Sequence, residues 1–201
     1  MNKNYLEEYT NLFERVLSVA YEQKYSTAAL EKQIAYSSYF RAIEEDKDAF
    51  APIITEADLI KAIFPDIPVD IENTSHYRQC AWAAESYLRI QDDTGLTFEA
   101  LFLYLSIQKM YQYFDLYHEM DYSQIINRFK ELYAEKSILA LLLARYRYPL
   151  TYVARNTEIP YATLASLKKR KRDIKKASVE MVASLARFLH VRIETLTELR
   201  I

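Results

Sequence analysis

Glycine is almost missing from this chain. The 201 residues include one, Gly95, together with one cysteine, Cys80, one tryptophan and five prolines. A single glycine excludes the G-x-G-x-x-G dinucleotide loop, the Walker A phosphate loop and the G-x-S-x-G nucleophile elbow, each of which needs at least two. Sheet proteins also rely on glycine in hairpin turns and bulges. Its scarcity, with only short polar breaks, therefore argues for helices throughout. One cysteine allows no intramolecular disulfide and no cysteine-type zinc site from this chain alone, which fits a reducing, cytoplasmic setting. The first residues, MNKNYLEEYT, lack the apolar run and small-residue cleavage site of a signal peptide. The longest uncharged apolar runs, such as ILALLLA (138–144), fall far short of the ~20 residues that a membrane helix needs, so no membrane partner is expected.

What the chain does have is tyrosine, 18 of them, and charge. Apolar residues make up 51% and charged residues 27%, a globular rather than a disordered composition. The length suits one large domain or two modest ones. A formal net charge of −2 conceals a division. Residues 1–136 carry 13 Lys and Arg against 23 Asp and Glu, and residues 137–201 carry 13 against 5. The positive charge peaks in LASLKKRKRDIKKAS (164–178), where seven of the nine residues from Lys168 to Lys176 are Lys or Arg. A basic end on an acidic body is the pattern expected when one part meets a polyanion and the other does something else.

Helix signals recur along the acidic part. Leu6, Tyr9, Phe13, Val16, Leu17 and Ala20 fall at three-and-four spacing over residues 5–23. Thr27 opens a short helix to about Ala35, and SSYFRAIEED (37–46) a second. Thr55 and Asp58 resemble a capping box ahead of LIKAIF, which Pro65 ends. PDIPVDIENT (65–74) is expected to be an extended connector and is the candidate seam within this region. A long helix is expected from Ser75 to Gln91, stopped by DDTG with Gly95 as its left-handed cap. Thr97 and Ser106 cap the next two, and Asp121 with Gln124 opens another. The result is a bundle of about seven helices.

Candidate chemistry in residues 1–136 is sparse. His76, His118 and His190, the three histidines of the chain, form no two-ligand helical spacing. His118 next to Glu119, near Asp121, places an imidazole beside carboxylates, but capping and surface roles explain it better. Asp92-Asp93-Thr94-Gly95 starts like a calcium loop and lacks the ligands that should follow. Cys80, beside Trp82 on an alanine-rich helix, reads as a small buried hydrophobe. The expectation is a protein that is not an enzyme, with no metal and no cofactor.

Residues 138–200 read as five short helices. Within them Val153-Ala154, Glu158-Ile159-Pro160, and Leu164 with Leu167 fall in a fixed order. That order resembles the Cro/CI (Xre-type) helix-turn-helix family: a Leu-Ala pair, a turn, then two recognition-helix anchors three apart. Leu185, Ala186, Leu189, Val191 and Leu196 match the apolar slots of the family's last two helices. The sequence departs at Glu158 and Arg170, where the family usually has glycine. It departs again at Lys168, where an acidic residue is common, and at Leu150, where a phosphate-binding Gln is common.

The resemblance covers about the last third of the chain and implies a five-helix DNA-binding domain at 137–201. With the helix signals of residues 1–136, which resemble no known family, the expectation is an all-α protein, an N-terminal helical bundle followed by that domain. In such a pair the second helix enters the major groove with its N-terminal residues at base edges. Opposite Leu164 and Leu167 on a Tyr161–Lys169 helix lie Tyr161, Ala162, Thr163, Ser166 and Lys169, suited to base or phosphate contact. Lys168, Arg170, Lys171, Arg172, Lys175 and Lys176 would lie along the backbone phosphates. A sequence-specific transcriptional regulator acting as a homodimer on duplex DNA is the expected function, with residues 1–136 binding a protein or small molecule. The alternative is a protein-interaction module, antitoxin-like or phage-defence-related, that uses the same fold without specific DNA recognition.

Overall fold

A computed structural model describes residues 3–45, 55–68, 70 and 73–197, with side chains from residue 6 onward. All regular structure among the described residues is helical, thirteen α-helices and one 3₁₀ turn, with no strand. The first eight helices are α1 (Lys3–Glu22), α2 (Thr27–Tyr36), α3 (Ser38–Glu44), α4 (Glu56–Ile63), α5 (Arg78–Thr94), α6 (Phe98–Tyr104), α7 (Ile107–Tyr117) and α8 (Tyr122–Glu135). Then come α9 (Ile138–Tyr146), α10 (Leu150–Thr157), α11 (Tyr161–Lys168), the 3₁₀ turn Ile174–Lys176, α12 (Val179–Leu189) and α13 (Ile193–Thr197). The expected end of the third of these helices, at Asp46, and residues 198–199 of the last one lie outside the described residues.

The caps read from the sequence, those of Thr55, Thr97 and Ser106 among them, are formed by side chains, and Ser137 adds one that the sequence reading leaves out. The hydroxyls of Thr55, Thr97, Ser106, Ser137 and Ser178 accept from backbone amides three residues on, satisfying N–H groups that have no partner within the helix. Asp121 caps α8 through the amide of Ser123 rather than Gln124. The long helix α5 begins at Arg78, three residues later than expected. Its predecessors are engaged elsewhere: the Ser75 amide donates to Glu22 Oε1 at 2.7 Å, and the His76 ring lies 2.7 Å from Glu14. At the other end Asp92, Asp93 and Thr94 stay helical, and Gly95 at φ 66° closes the helix in the left-handed region. Pro65–Ile67 form a turn, with Ile67 N donating to Phe64 O at 3.3 Å, instead of the extended chain expected there. Residues 69, 71 and 72 of that connector lie outside the described residues.

The core centres on α1 lying against α5, with α3 and α6 closing over them. Phe13, Phe40 and Phe98 meet edge to face at centroid separations of 4.7–5.8 Å, and Tyr87 packs on Phe102 at 5.2 Å. Such pairs contribute about 0.5–1.5 kcal/mol each beyond their buried area. The Tyr87 hydroxyl, wholly buried, donates to Leu105 O at 2.8 Å. Among the large apolar side chains of residues 102–120, Phe102, Ile107, Met110 and Tyr113 are buried, while Leu116 and Met120 are exposed.

Acidic side chains hold this packing together at its joints. Glu31 on α2 accepts from the first amide of α7 (Ile107 N, 2.9 Å), and Glu44 on α3 from the first amide of α6 (Phe98 N, 2.6 Å). A carboxylate at a helix N-terminus meets both the unpaired amides and the positive end of the dipole. Burial pushes both carboxyls above their ordinary pKa, against the pull of the amides and, at Glu44, of Arg192.

The last five helices share one continuous hydrophobic core with the first eight. Contact runs from α6 to α9 and α13. At its centre Arg192 makes two hydrogen bonds to Glu44, at 2.9 and 2.8 Å, with side chains only 9% and 2% exposed. Glu99 accepts from the Arg192 amide at 3.2 Å and from Thr195 Oγ1 at 2.7 Å, capping α13 from the body of the protein. Thr97 and Thr195 hydroxyls lie 2.9 Å apart beside them.

Candidate nucleic-acid interface

The geometry begins with two prolines. Pro149 and Pro160 occupy the positions just before α10 and α11, at φ −69° and −54°, and neither helix has a side-chain cap. The turn between the helices is short. Glu158 takes a left-handed conformation at φ 58°, and Ile159 is buried beneath it. Val153 on α10 and Leu164 and Leu167 on α11 are buried as the spacing predicts, with Ala154 half-buried. Leu150 packs half-buried against the core.

The end of α11 resolves the missing glycine. Arg170 adopts φ 52°, with its amide on Leu167 O at 3.0 Å and the Lys171 amide on Ser166 O at 2.9 Å. The helix stops at Lys168, and Ser137 Oγ, which also caps α9, donates to Lys168 O at 2.8 Å. Both positions where glycine is missing therefore take the glycine conformation regardless. So do Lys24, Arg147 and His190 at other helix ends. Non-glycine residues pay about 1 kcal/mol or more there, and the surrounding packing imposes it.

On the outer side of α11, Tyr161 is 54% exposed and Ala162 is exposed, while Thr163 and Ser166 are half-buried. The Ser166 hydroxyl donates to Ala162 O at 2.9 Å, which leaves its lone pairs for an outside donor. Lys168, Lys169, Lys171, Arg172, Lys175 and Lys176 are all exposed, and none has an ion-pair partner among the described residues. Lys175 and Lys176 ride on the 3₁₀ turn, which Asp173 caps. Arg170 stands apart. Its guanidinium donates to the Tyr104 hydroxyl at 3.0 Å and lies 4.3 Å above the Tyr133 ring, so it faces α6 and α8.

The sequence reading leaves out two features of this region. Arg155 is exposed on α10, and a lone arginine has no local signature. Tyr146, Tyr148, Tyr152 and Phe188 form a ladder of rings 5.2–5.8 Å apart. Tyrosines at 146, 148 and 152 are visible in the sequence, but Phe188 joins them only through the packing of α12.

Elsewhere, His118 stacks on Phe114 at 4.3 Å and hydrogen-bonds the Phe114 carbonyl at 2.8 Å, with Glu119 3.6 Å away. Cys80 is buried 3.5 Å from the Tyr111 hydroxyl, and burial pushes its thiol up. His76 is held between Glu14 and Arg15 at 2.7 and 3.2 Å. Among the described residues no group of three His, Cys, Asp or Glu side chains is placed to hold a metal ion, and no helix is long and apolar enough to cross a membrane. Comparison of the chain with protein-family models, with curated proteins and with solved structures returned no match.

Proposed function

We propose that residues 137–201 form a helix-turn-helix domain of the Cro/CI kind that binds duplex DNA, and that residues 1–136 are a regulatory or partner-binding body. The protein is then a sequence-specific transcriptional regulator, acting as a homodimer so that two α11 helices reach two half-sites. One observation carries the reading. Six exposed Lys and Arg side chains without acidic partners among the described residues end and follow a helix whose outer face shows Tyr161, Ala162, Thr163 and Ser166. Cations left unpaired in a protein with surplus carboxylates are available to phosphate. The uncapped starts of α10 and α11 add backbone amides of the kind that bind phosphate oxygens.

In this reading Tyr161, Thr163 and Ser166 contact bases, and Lys168, Lys169, Lys171, Arg172, Lys175 and Lys176 contact the backbone. Arg170 joins them only if it leaves Tyr133. The protein-interaction alternative draws on the half-exposed ring ladder at Tyr148 and Tyr152, amphipathic surface of the type found at protein contacts.

Fluorescence anisotropy with labelled genomic fragments separates the two. The DNA reading expects binding at low salt that weakens steeply as salt rises and a preferred site within the bound fragments. Absence of any duplex binding at low salt overturns it. Thr163→Ala and Ser166→Ala are expected to change site preference at nearly constant non-specific affinity.

A further inference from the structure

Between α2 and α6 on one side and α9 and the α12–α13 link on the other lies a cleft of ≈ 150 Å³. Its lining mixes polar side chains with the apolar Phe102, Leu142 and Val191. Tyr36 and Tyr146, 47% and 36% exposed, line it as well. A volume near 150 Å³ accommodates about one benzene-sized molecule.

The charges around it are unevenly committed. Glu31 is bound to the Ile107 amide, and Glu99 accepts from the Tyr36 hydroxyl at 3.1 Å as well as from Arg192 N and Thr195. The two cations are held less directly, although Arg145 is near enough to Glu31 to favour its charged form. Lys32 on α2 and Arg145 on α9 line the cleft exposed, and neither has a hydrogen-bond or ion-pair partner among the described residues. Apolar and aromatic side chains beside two exposed cations that make no hydrogen bond or salt bridge among the described residues suit a ligand that is flat, apolar and singly anionic.

We propose that this cleft binds a small aromatic carboxylate, with the ring over Phe102 between Tyr36 and Tyr146 and the carboxylate on Arg145 and Lys32. The walls come from both parts of the chain. Tyr36 already reaches across, its single hydroxyl proton shared between Glu99 and His190 O, which lies 3.2 Å away. An occupant would therefore bridge α2 to α9 and bias how the basic helix pair is held. This regulatory consequence rests on the DNA-binding reading; the binding site does not.

The test is calorimetric titration of the full chain with sodium benzoate, with benzamide and inorganic phosphate as comparators. Saturable one-to-one binding of benzoate is expected, at least tenfold tighter than either comparator and at least tenfold weaker in Arg145→Gln. Circular dichroism checks that the variant is folded, and Lys32→Gln, on an exposed position of α2, provides the same readout if it is not. No saturable binding of benzoate overturns the site. Equal binding of benzamide overturns the role of the cations, and equal binding of phosphate overturns the aromatic subsite. Saturating benzoate is then added to the anisotropy assay, where an affinity change of about fivefold or more is expected for coupled sites. Benzoate binding without that change overturns the coupling alone. Absence of duplex binding in benzoate-free protein overturns the DNA reading and leaves the site standing.

Discussion

In helices α1–α8 the carboxylates of Glu22, Glu31 and Glu44 sit on backbone amides at or near the starts of α5, α7 and α6, and Arg15 donates to Glu56 at 2.6 Å. In α9–α13 the basic side chains from Lys168 to Lys176, Arg170 aside, are exposed and find no acid among the described residues, and α10 and α11 begin on prolines without a side-chain cap. Both regions are helical and share a core. They differ in whether charge completes the fold or remains available to something outside it. Acidic surplus in the first region therefore does structural work at helix starts, while the basic run of the second, Arg170 aside, makes no such joints among the described residues.

Arg192 is the exception in the second region, and removing it should have the largest effect. Arg192→Ala leaves Glu44 buried without its cation, and breaking a pair of this type costs about 3–5 kcal/mol. Urea unfolding followed both by Trp82 fluorescence and by circular dichroism is expected to shift together. A shift in the second signal alone, with Trp82 unmoved, would show that the last five helices unfold independently of the first eight. Next comes Leu164→Ala, expected to cost about 2–5 kcal/mol by emptying a fully buried site beneath α11. On the proposed DNA-binding reading, duplex binding at a temperature where the variant is partly unfolded should fall with the folded fraction.

The outward charges should behave in the opposite way. Lys169→Ala with Lys171→Ala is expected to change stability by no more than about 0.5 kcal/mol. Its duplex affinity should drop, and the log–log salt slope should become shallower by roughly 2 if both contact phosphate. An unchanged slope with unchanged affinity would remove these residues from the interface. At Glu158 the left-handed backbone strain is relieved by glycine. Glu158→Gly is expected to stabilise by about 0.5 kcal/mol, the strain relief exceeding the added freedom of the unfolded chain, as read from the thermal midpoint.

The smallest effect is one of pH. The carboxyls of Glu31 and Glu44 have folded pKa values raised above the ordinary 4.5 by burial. A raised carboxyl binds more protons folded than unfolded, so its contribution falls as pH rises from the ordinary value through the raised one. Urea midpoints measured upward from pH 4.5 should show that decline, and Glu31→Gln should flatten it. A decline of the same size in Glu31→Gln would assign it to Glu44 or elsewhere.

Much of the helix map is legible along the chain because its signals are local. Thr55, Thr97, Ser106, Ser137 and Ser178 cap within three residues of themselves, and Gly95 takes the conformation its position demands. The start of α5 was not legible, since Ser75 and His76 are held by Glu22 and Glu14, more than fifty residues away in sequence. The same holds for Arg170. Its place in KKRKR reads as one more phosphate contact, while the cation over Tyr133 depends on where α8 lies. The cleft lined by Lys32, Tyr36 and Arg145 has no sequence signature either, because its walls come from four separated stretches.

By itself the sequence determined the helical class, the capping residues, the buried anchors Val153, Leu164 and Leu167, and the concentration of positive charge after α11. These follow from periodicity, short-range hydrogen bonding and composition, none of which needs the rest of the fold. Tertiary structure alone decided that Glu158 and Arg170 adopt the left-handed backbone without glycine, that Glu31, Glu44 and Glu99 cap distant helices, and that Arg192 ties the last helix to the third. Each of these puts strain or charge where only packing from elsewhere in the chain can hold it.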